Sequence, residues 1–173
     1  METCFVIMAG LPGTGKSTLA RALAAKVRGV VLDKDLLRAA LFSEPWIEYS
    51  REQDDFCVDV LLQAGGYLAR KETPPAFIFI DGRTFAMRYQ IERVADYANS
   101  LGCGVRLIHL VCSDETARQR LATDHVAKNR DFALYLKVKQ GFEAIERPHL
   151  TLDTDDGLND ALLEQSLRYL GGD

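Results

Sequence analysis

Apolar residues fall along this chain in short unbroken runs that alternate with longer stretches of helical periodicity. The runs are Cys4 to Ala9, Val30 to Leu32, Ala76 to Ile80, Val105 to Cys112 and His149 to Leu152. Their length and their Gly, Pro or Asp boundaries predict five strands. Leu19, Leu23 and Val27, four apart, predict a helix over Lys16 to Val27 that Gly29 ends. Leu36, Leu37, Ala40 and Leu41 predict another over Asp35 to Leu41. Ser50 to Lys71 predicts one long helix with a bend at Gly65-Gly66, and Pro74-Pro75 breaks the chain after it. Further helices are expected over Tyr89 to Leu101, from an N-cap at Ser113, over Phe132 to Ile145 and over Leu158 to Leu170.

Strands that alternate with helices pair in parallel, with helices on both faces. Unbroken rather than alternating apolar runs fit a sheet covered on both sides. The expected fold class is therefore α/β, and ligands of such folds sit at the carboxyl ends of the strands. Three polar segments fall there: Gly10 to Ser17, Asp33 to Arg38 and Asp81 to Arg83.

Composition narrows the picture. The chain has 173 residues, enough for one well-buried core, so one domain over residues 1–173 is expected. The net charge of −4 gives no support to broad binding of nucleic acid or anionic membranes. The apolar runs are too short to span a bilayer, and the N-terminal residues lack the pattern of a signal peptide. Cys4, Cys57, Cys103 and Cys112 form no CxxC pair and read as reduced thiols, which suggests a cytoplasmic protein.

The sharpest chemistry is in Gly10-Leu11-Pro12-Gly13-Thr14-Gly15-Lys16-Ser17, which satisfies G-x-x-x-x-G-K-[ST] between a strand and a helix. The glycines let the backbone curl into a concave anion site, and the helix adds free N–H donors and its positive end. Lys16 would reach the β- and γ-phosphates of ATP, and the Ser17 hydroxyl would ligate Mg²⁺.

After the second strand, Asp35 and Arg38 are three apart and share a helix face. A transferred phosphoryl group needs a carboxylate near the attacking hydroxyl, and Asp35 is the candidate. Asp33 either helps to order Mg²⁺ or caps the helix. Together, Gly10 to Thr18 and Asp35-x-x-Arg38 resemble the small P-loop kinases related to polynucleotide 5′-kinase, zeta toxin and chloramphenicol phosphotransferase. The resemblance implies a three-layer P-loop NTPase fold with a five-stranded parallel sheet. It also implies ATP and Mg²⁺ as cofactors, Asp35 as general base and Arg38 as the grip on the acceptor. The same segments resemble adenylylsulfate kinases, although Lys34 stands where that family has Gly and Ile78-Phe79-Ile80-Asp81 does not match its F-I-S-P segment.

Phe77 to Asp81 has the form of a Walker B strand, so Asp81 could lie near Mg²⁺ or, with Arg83 and Thr84, face the acceptor. The alternative is a simple Asp81-Gly82 turn. Phosphoryl transfer also needs cations over the γ-phosphate, supplied here from a lid at about residues 118–131. Arg120-Leu121 resembles the start of that lid, and Arg130 is preferred to Lys128 as the second cation, while Arg118 reads as solvated. His109 is expected in the core, and Trp46, Tyr49 and Phe56 read better as core packing than as rings stacked on an acceptor. Asp153, Asp155 and Asp156 form a solvated turn in a loop that borders adenine in the similar kinases.

The expected protein is thus an ATP- and Mg²⁺-dependent kinase for an acceptor hydroxyl, either the 5′-hydroxyl of a short nucleic-acid end or a small molecule. An adenylylsulfate-type kinase and a toxin kinase of sugar nucleotides are the alternatives. From another class, a nucleotide-dependent switch without acceptor is opposed by the lack of an [NT]-K-x-D motif. Neither a membrane nor an obligate protein partner is expected.

Overall fold

The computed structural model describes residues 2–123 and 131–171. Its centre is β1 (Cys4–Ala9), all six residues of which are buried. The other strands are β2 (Gly29–Asp33), β3 (Phe77–Asp81), β4 (Gly104–Val111) and β5 (Leu150–Asp153). They form one five-stranded sheet in the order β2-β3-β1-β4-β5, with every pairing parallel. The helices are α1 (Lys16–Lys26), α2 (Lys34–Leu41), α3 (Arg51–Ala69), α4 (Arg88–Ser100), α5 (Asp114–Thr123), α6 (Phe132–Gln140) and α7 (Asp160–Gly171).

The two-residue period of β1 divides the core. Phe5, Ile7 and Ala9 pack with Val58, Leu61 and Leu62 of α3 and with Ile91 and Val94 of α4. Val6 and Met8 pack on the other face with Leu19 and Leu23 of α1 and Leu170 of α7. Both sides of each apolar run are therefore covered, as the unbroken pattern predicts.

Three expectations shift. α3 runs without a break through Gly65-Gly66. A Cβ at Gly65 would lie 2.8 Å from the Phe5 ring, and one at Gly66 would meet the Tyr97 hydroxyl. The glycine pair thus serves close packing against β1 and α4 rather than a bend. α6 stops at Gln140 rather than near Ile145. Past Gly141 the chain lies over α4: Glu143 N–H donates to Ala86 (2.8 Å) and Arg147 makes paired bonds to Glu92 (2.9 and 2.6 Å). α7 begins at Asp160 rather than Leu158, because Asn159 Oδ1 accepts from Leu162 N–H (3.0 Å) and caps it.

No helix among the described residues is long and apolar enough to cross a membrane. The four cysteines are free.

Candidate phosphoryl-transfer site

The loop between β1 and α1 is held by its carbonyls. Leu11 O accepts from the Thr14 hydroxyl (2.8 Å) and from Lys16 Nζ (2.9 Å). Thr14 O accepts from the buried Thr154 hydroxyl (3.0 Å), and Gly13 O from Arg120 (3.2 Å). Gly10 has φ +139°, and a Cβ there would collide with Leu110 O of β4, so only glycine lets the loop leave the sheet at this point. Its N–H is fixed by Thr84 O (3.0 Å). α1 then opens on Gly15 with no side-chain cap and no acid in its first turn. Such a helix start favours an anion. Ser17 is partly buried on this first turn, and Thr18 beside it is exposed.

Arg120 acts on this loop from α5. Besides Gly13 O it binds the Thr154 hydroxyl (3.2 Å), Thr154 O and Asp155 O (3.4 Å). Its guanidinium thus ties the phosphate loop to the loop after β5, whose Asp153, Asp155 and Asp156 are exposed as expected. Arg118 is exposed as expected, with its guanidinium over the Phe132 ring at 4.3 Å. Arg130, Lys128 and His125 lie outside the described residues, as does half of the expected lid.

On the other side of the loop, Asp33 caps α2, its Oδ1 accepting from Asp35 N–H (2.8 Å) and Leu36 N–H (3.3 Å). Its Oδ2 lies 3.6 Å from Arg21. Gly82, at φ +85°, lets the turn after β3 approach this cap, since a Cβ would sit 2.8 Å from Asp33 Oδ1.

Asp35 and Arg38 do share a face, with Oδ1 of Asp35 3.2 Å from Arg38 and 3.0 Å from Lys34 Nζ. Asp54, in the first turn of α3, binds both Arg38 and Lys34 (2.5 Å to the latter). Lys34 and Arg38 are buried while Asp35 remains partly exposed. Burial brings the Lys34 amine down to about 8, against the opposing pull of Asp35. Arg83 is also buried, bound to Asp55 (2.5 Å) and to the Tyr89 hydroxyl (3.3 Å). The sequence reading missed Lys34, Asp54 and Asp55. The signal available was the pair of acids opening α3, since buried cations require carboxylates to face them.

Asp81 ends β3, opposite Asp33 in register, and is fully buried. Neither of its carboxylate oxygens has a hydrogen-bond partner among the described residues. An orphaned acid here is costly unless something else binds it. With the Ser17 hydroxyl it supplies hard oxygen donors of the kind Mg²⁺ takes together with water and phosphate oxygens. Among the described residues no group of three or more His, Cys, Asp or Glu side chains could hold a metal.

His109, on β4, stacks on Phe142 (5.4 Å between ring centres) and meets His149 edge-on (5.9 Å). Burial first, then His149 and Lys16, bring its pKa down to about 4. Trp46, Tyr49 and Phe56 are not core residues: they are 70%, 57% and 51% exposed.

The AAA domain family matches residues 5–144. The chain belongs to this family. The match does not narrow to the polynucleotide-kinase, zeta-toxin and chloramphenicol-phosphotransferase group. No curated protein sequence matches the chain significantly. Among solved structures, the Mycobacterium tuberculosis APS kinase CysC in complex with AMPPNP and APS is similar at 17% identity and a TM-score of 0.73, with 99% of each chain covered. A gluconokinase from Sinorhizobium meliloti 1021 is similar at 16% identity and a TM-score of 0.67, covering 98% of this chain and 92% of that one. Chaetomium thermophilum Kti12 in complex with ADP-AlF3 is similar at 17% identity and a TM-score of 0.67, with 97% of each chain covered. At these identities the likeness is one of fold, the α/β fold of P-loop kinases.

Proposed function

We propose that the chain is one kinase domain, residues 1–173, that transfers the γ-phosphate of ATP to an acceptor hydroxyl. The reading rests above all on Asp35, a partly exposed carboxylate held by Lys34 and Arg38 on the helix that follows β2, at the same sheet edge as an uncapped phosphate loop. Solved structures of similar fold carry AMPPNP with APS and ADP-AlF3.

Gly10 to Thr18 would enclose the β- and γ-phosphates, with Lys16 turning from Leu11 O toward them. Ser17 and Asp81 would hold Mg²⁺, whose chemistry is to neutralise charge on the phosphates. Asp35 would orient the acceptor and take its proton as the acceptor oxygen bonds to the γ-phosphorus and the bond to the β-phosphate oxygen breaks, releasing ADP. Arg38 holds Asp35 in place and would border the acceptor, and Arg83, bound to Asp55, would border it as well. Arg120 fixes the Gly13 carbonyl, which would leave the loop's N–H groups to meet the phosphates. Arg130 would complete the charge over the γ-phosphate. The four free thiols favour a reducing compartment, the cytoplasm.

The test is acceptor dependence. ADP release by the purified chain with Mg²⁺-ATP should rise strongly when a competent hydroxyl compound is added. Rapid turnover with no acceptor present would favour an ATPase or switch instead.

A further inference from the structure

The acceptor end of the cleft is electrically balanced from within. Among the described residues, Lys34, Arg38 and Arg83 are its buried cations, each at most 5% exposed. All three already face the chain's own carboxylates: Lys34 and Arg38 meet Asp35 and Asp54, and Arg83 meets Asp55. Three positive charges thus stand against three negative ones. A phosphate, sulfate or carboxylate on the acceptor would have to displace these partly exposed carboxylates from buried cations that they already neutralise. The adjoining open cleft, about 540 Å³ in volume, adds no cationic excess. It is lined by Arg51, Glu52, Asp55, Phe56, Asp59 and Arg93, and Arg93 is held by Asp59 in paired hydrogen bonds.

The same end of the molecule shows uncovered rings. The rings of Trp46 and Tyr49 are presented by a segment whose backbone is tied down. The buried Gln53 side chain donates to Trp46 O (3.0 Å) and accepts from Glu48 N–H (2.8 Å). The Tyr49 ring lies over the Arg38 guanidinium at 5.2 Å, which places it one residue contact away from Asp35. Phe56 meets Phe42 at 6.0 Å beside it. Clustered exposed aromatics on a fixed backbone mark a recognition surface rather than a stray core, and their faces suit a flat ring.

We infer that the acceptor is an uncharged, ring-bearing polyol, with the chemistry of a nucleoside or a glycoside free of phosphate, sulfate and carboxylate. Its ring lies against Trp46 and Tyr49 and its reactive hydroxyl reaches Asp35. This inference rests on the kinase reading and narrows it to a substrate class.

Trp46 is the only tryptophan, so its fluorescence reports this surface directly. The full chain, with Mg²⁺ and a non-hydrolysable ATP analogue, is titrated with matched pairs: nucleosides against their 3′-monophosphates, and glycosides against their sugar phosphates. The same pairs are offered for transfer of labelled γ-phosphate from ATP. An uncharged member should quench Trp46 and bind about tenfold tighter or more than its charged counterpart, and should be the better acceptor by a similar factor. The nucleoside and glycoside arms separate the two sources of this chemistry. Asp54→Asn, which unbalances the cations, should move the preference toward the charged member. Preference of the native chain for the charged member, with transfer observed, overturns the inference and leaves the kinase reading standing. An unresponsive Trp46 across all pairs also overturns it. Quenching by the uncharged members without transfer to any of them overturns the kinase reading and leaves the binding surface established.

Discussion

The two halves of this cleft handle charge in opposite ways. In the phosphate half, Arg120, Thr154 and Lys16 are spent on loop carbonyls, and α1 begins with neither cap nor acid. The favourable potential of the helix start is left for a ligand. In the acceptor half, every buried cation among the described residues of the cleft is met by a carboxylate from α2 or α3. On the proposed function, one half is built incomplete, around an anion that every turnover would bring. The other is balanced by itself among the described residues, and would discriminate through shape and ring faces.

Substitutions that break this comparison should differ in size. Lys16→Ala removes the charge brought to the β- and γ-phosphates and should lower phosphoryl transfer by about 10³-fold, as measured by labelled phosphate incorporation at saturating ATP. Asp81→Asn should separate stability from function. It removes an orphaned buried charge, so the metal-free protein should melt higher, while the added stability that Mg²⁺-ATP confers should shrink. Parallel thermal scans in chelator and in Mg²⁺-ATP read both effects.

A pH effect lies outside either half. His109 is held down to about 4 when folded, against an ordinary value near 6.5, so the unfolded chain binds the extra proton between those values. Its neutral form is therefore accommodated at pH 7, and stability falls as pH drops below 6.5. Between pH 7 and pH 5 this group should cost about 2 kcal/mol in urea unfolding, and His109→Phe should flatten that part of the profile. The smallest expected change is that of Thr154→Val, which removes the hydroxyl bonded to Thr14 O. A loss of about 1 kcal/mol should raise the KM for ATP several-fold and leave the acceptor KM alone.

What was legible in the sequence follows the same division. β1, the phosphate loop and α1 are contiguous, and their chemistry is encoded in spacing, so Gly10 to Ser17 could be placed at once. The five-stranded parallel sheet was equally readable, because burial on both faces leaves unbroken apolar runs. The acceptor half is assembled from distant segments. Asp54 lies 16 residues from Arg38, and Asp55 lies 28 from Arg83, so no local pattern pairs them. Arg120 reaches Gly13 across 107 residues, and its attachment to the loop backbone is a tertiary fact. Trp46 and Tyr49 read as core residues by type, and only the Gln53 anchor under their backbone explains why they face outward. The helix ends at Gly141 and Asn159 were written in cap residues that periodicity alone overran.

On the proposed function, Asp35 serves transfer and not nucleotide binding. The direct measurement compares the native chain with Asp35→Asn in one preparation, taking ATP affinity by calorimetry and γ-phosphate transfer to a competent acceptor by label. The ATP Kd of Asp35→Asn should stay within about twofold of the native value, while its transfer rate falls by about 10²–10⁴-fold. Full transfer by Asp35→Asn, or loss of ATP binding in step with transfer, would contradict this role.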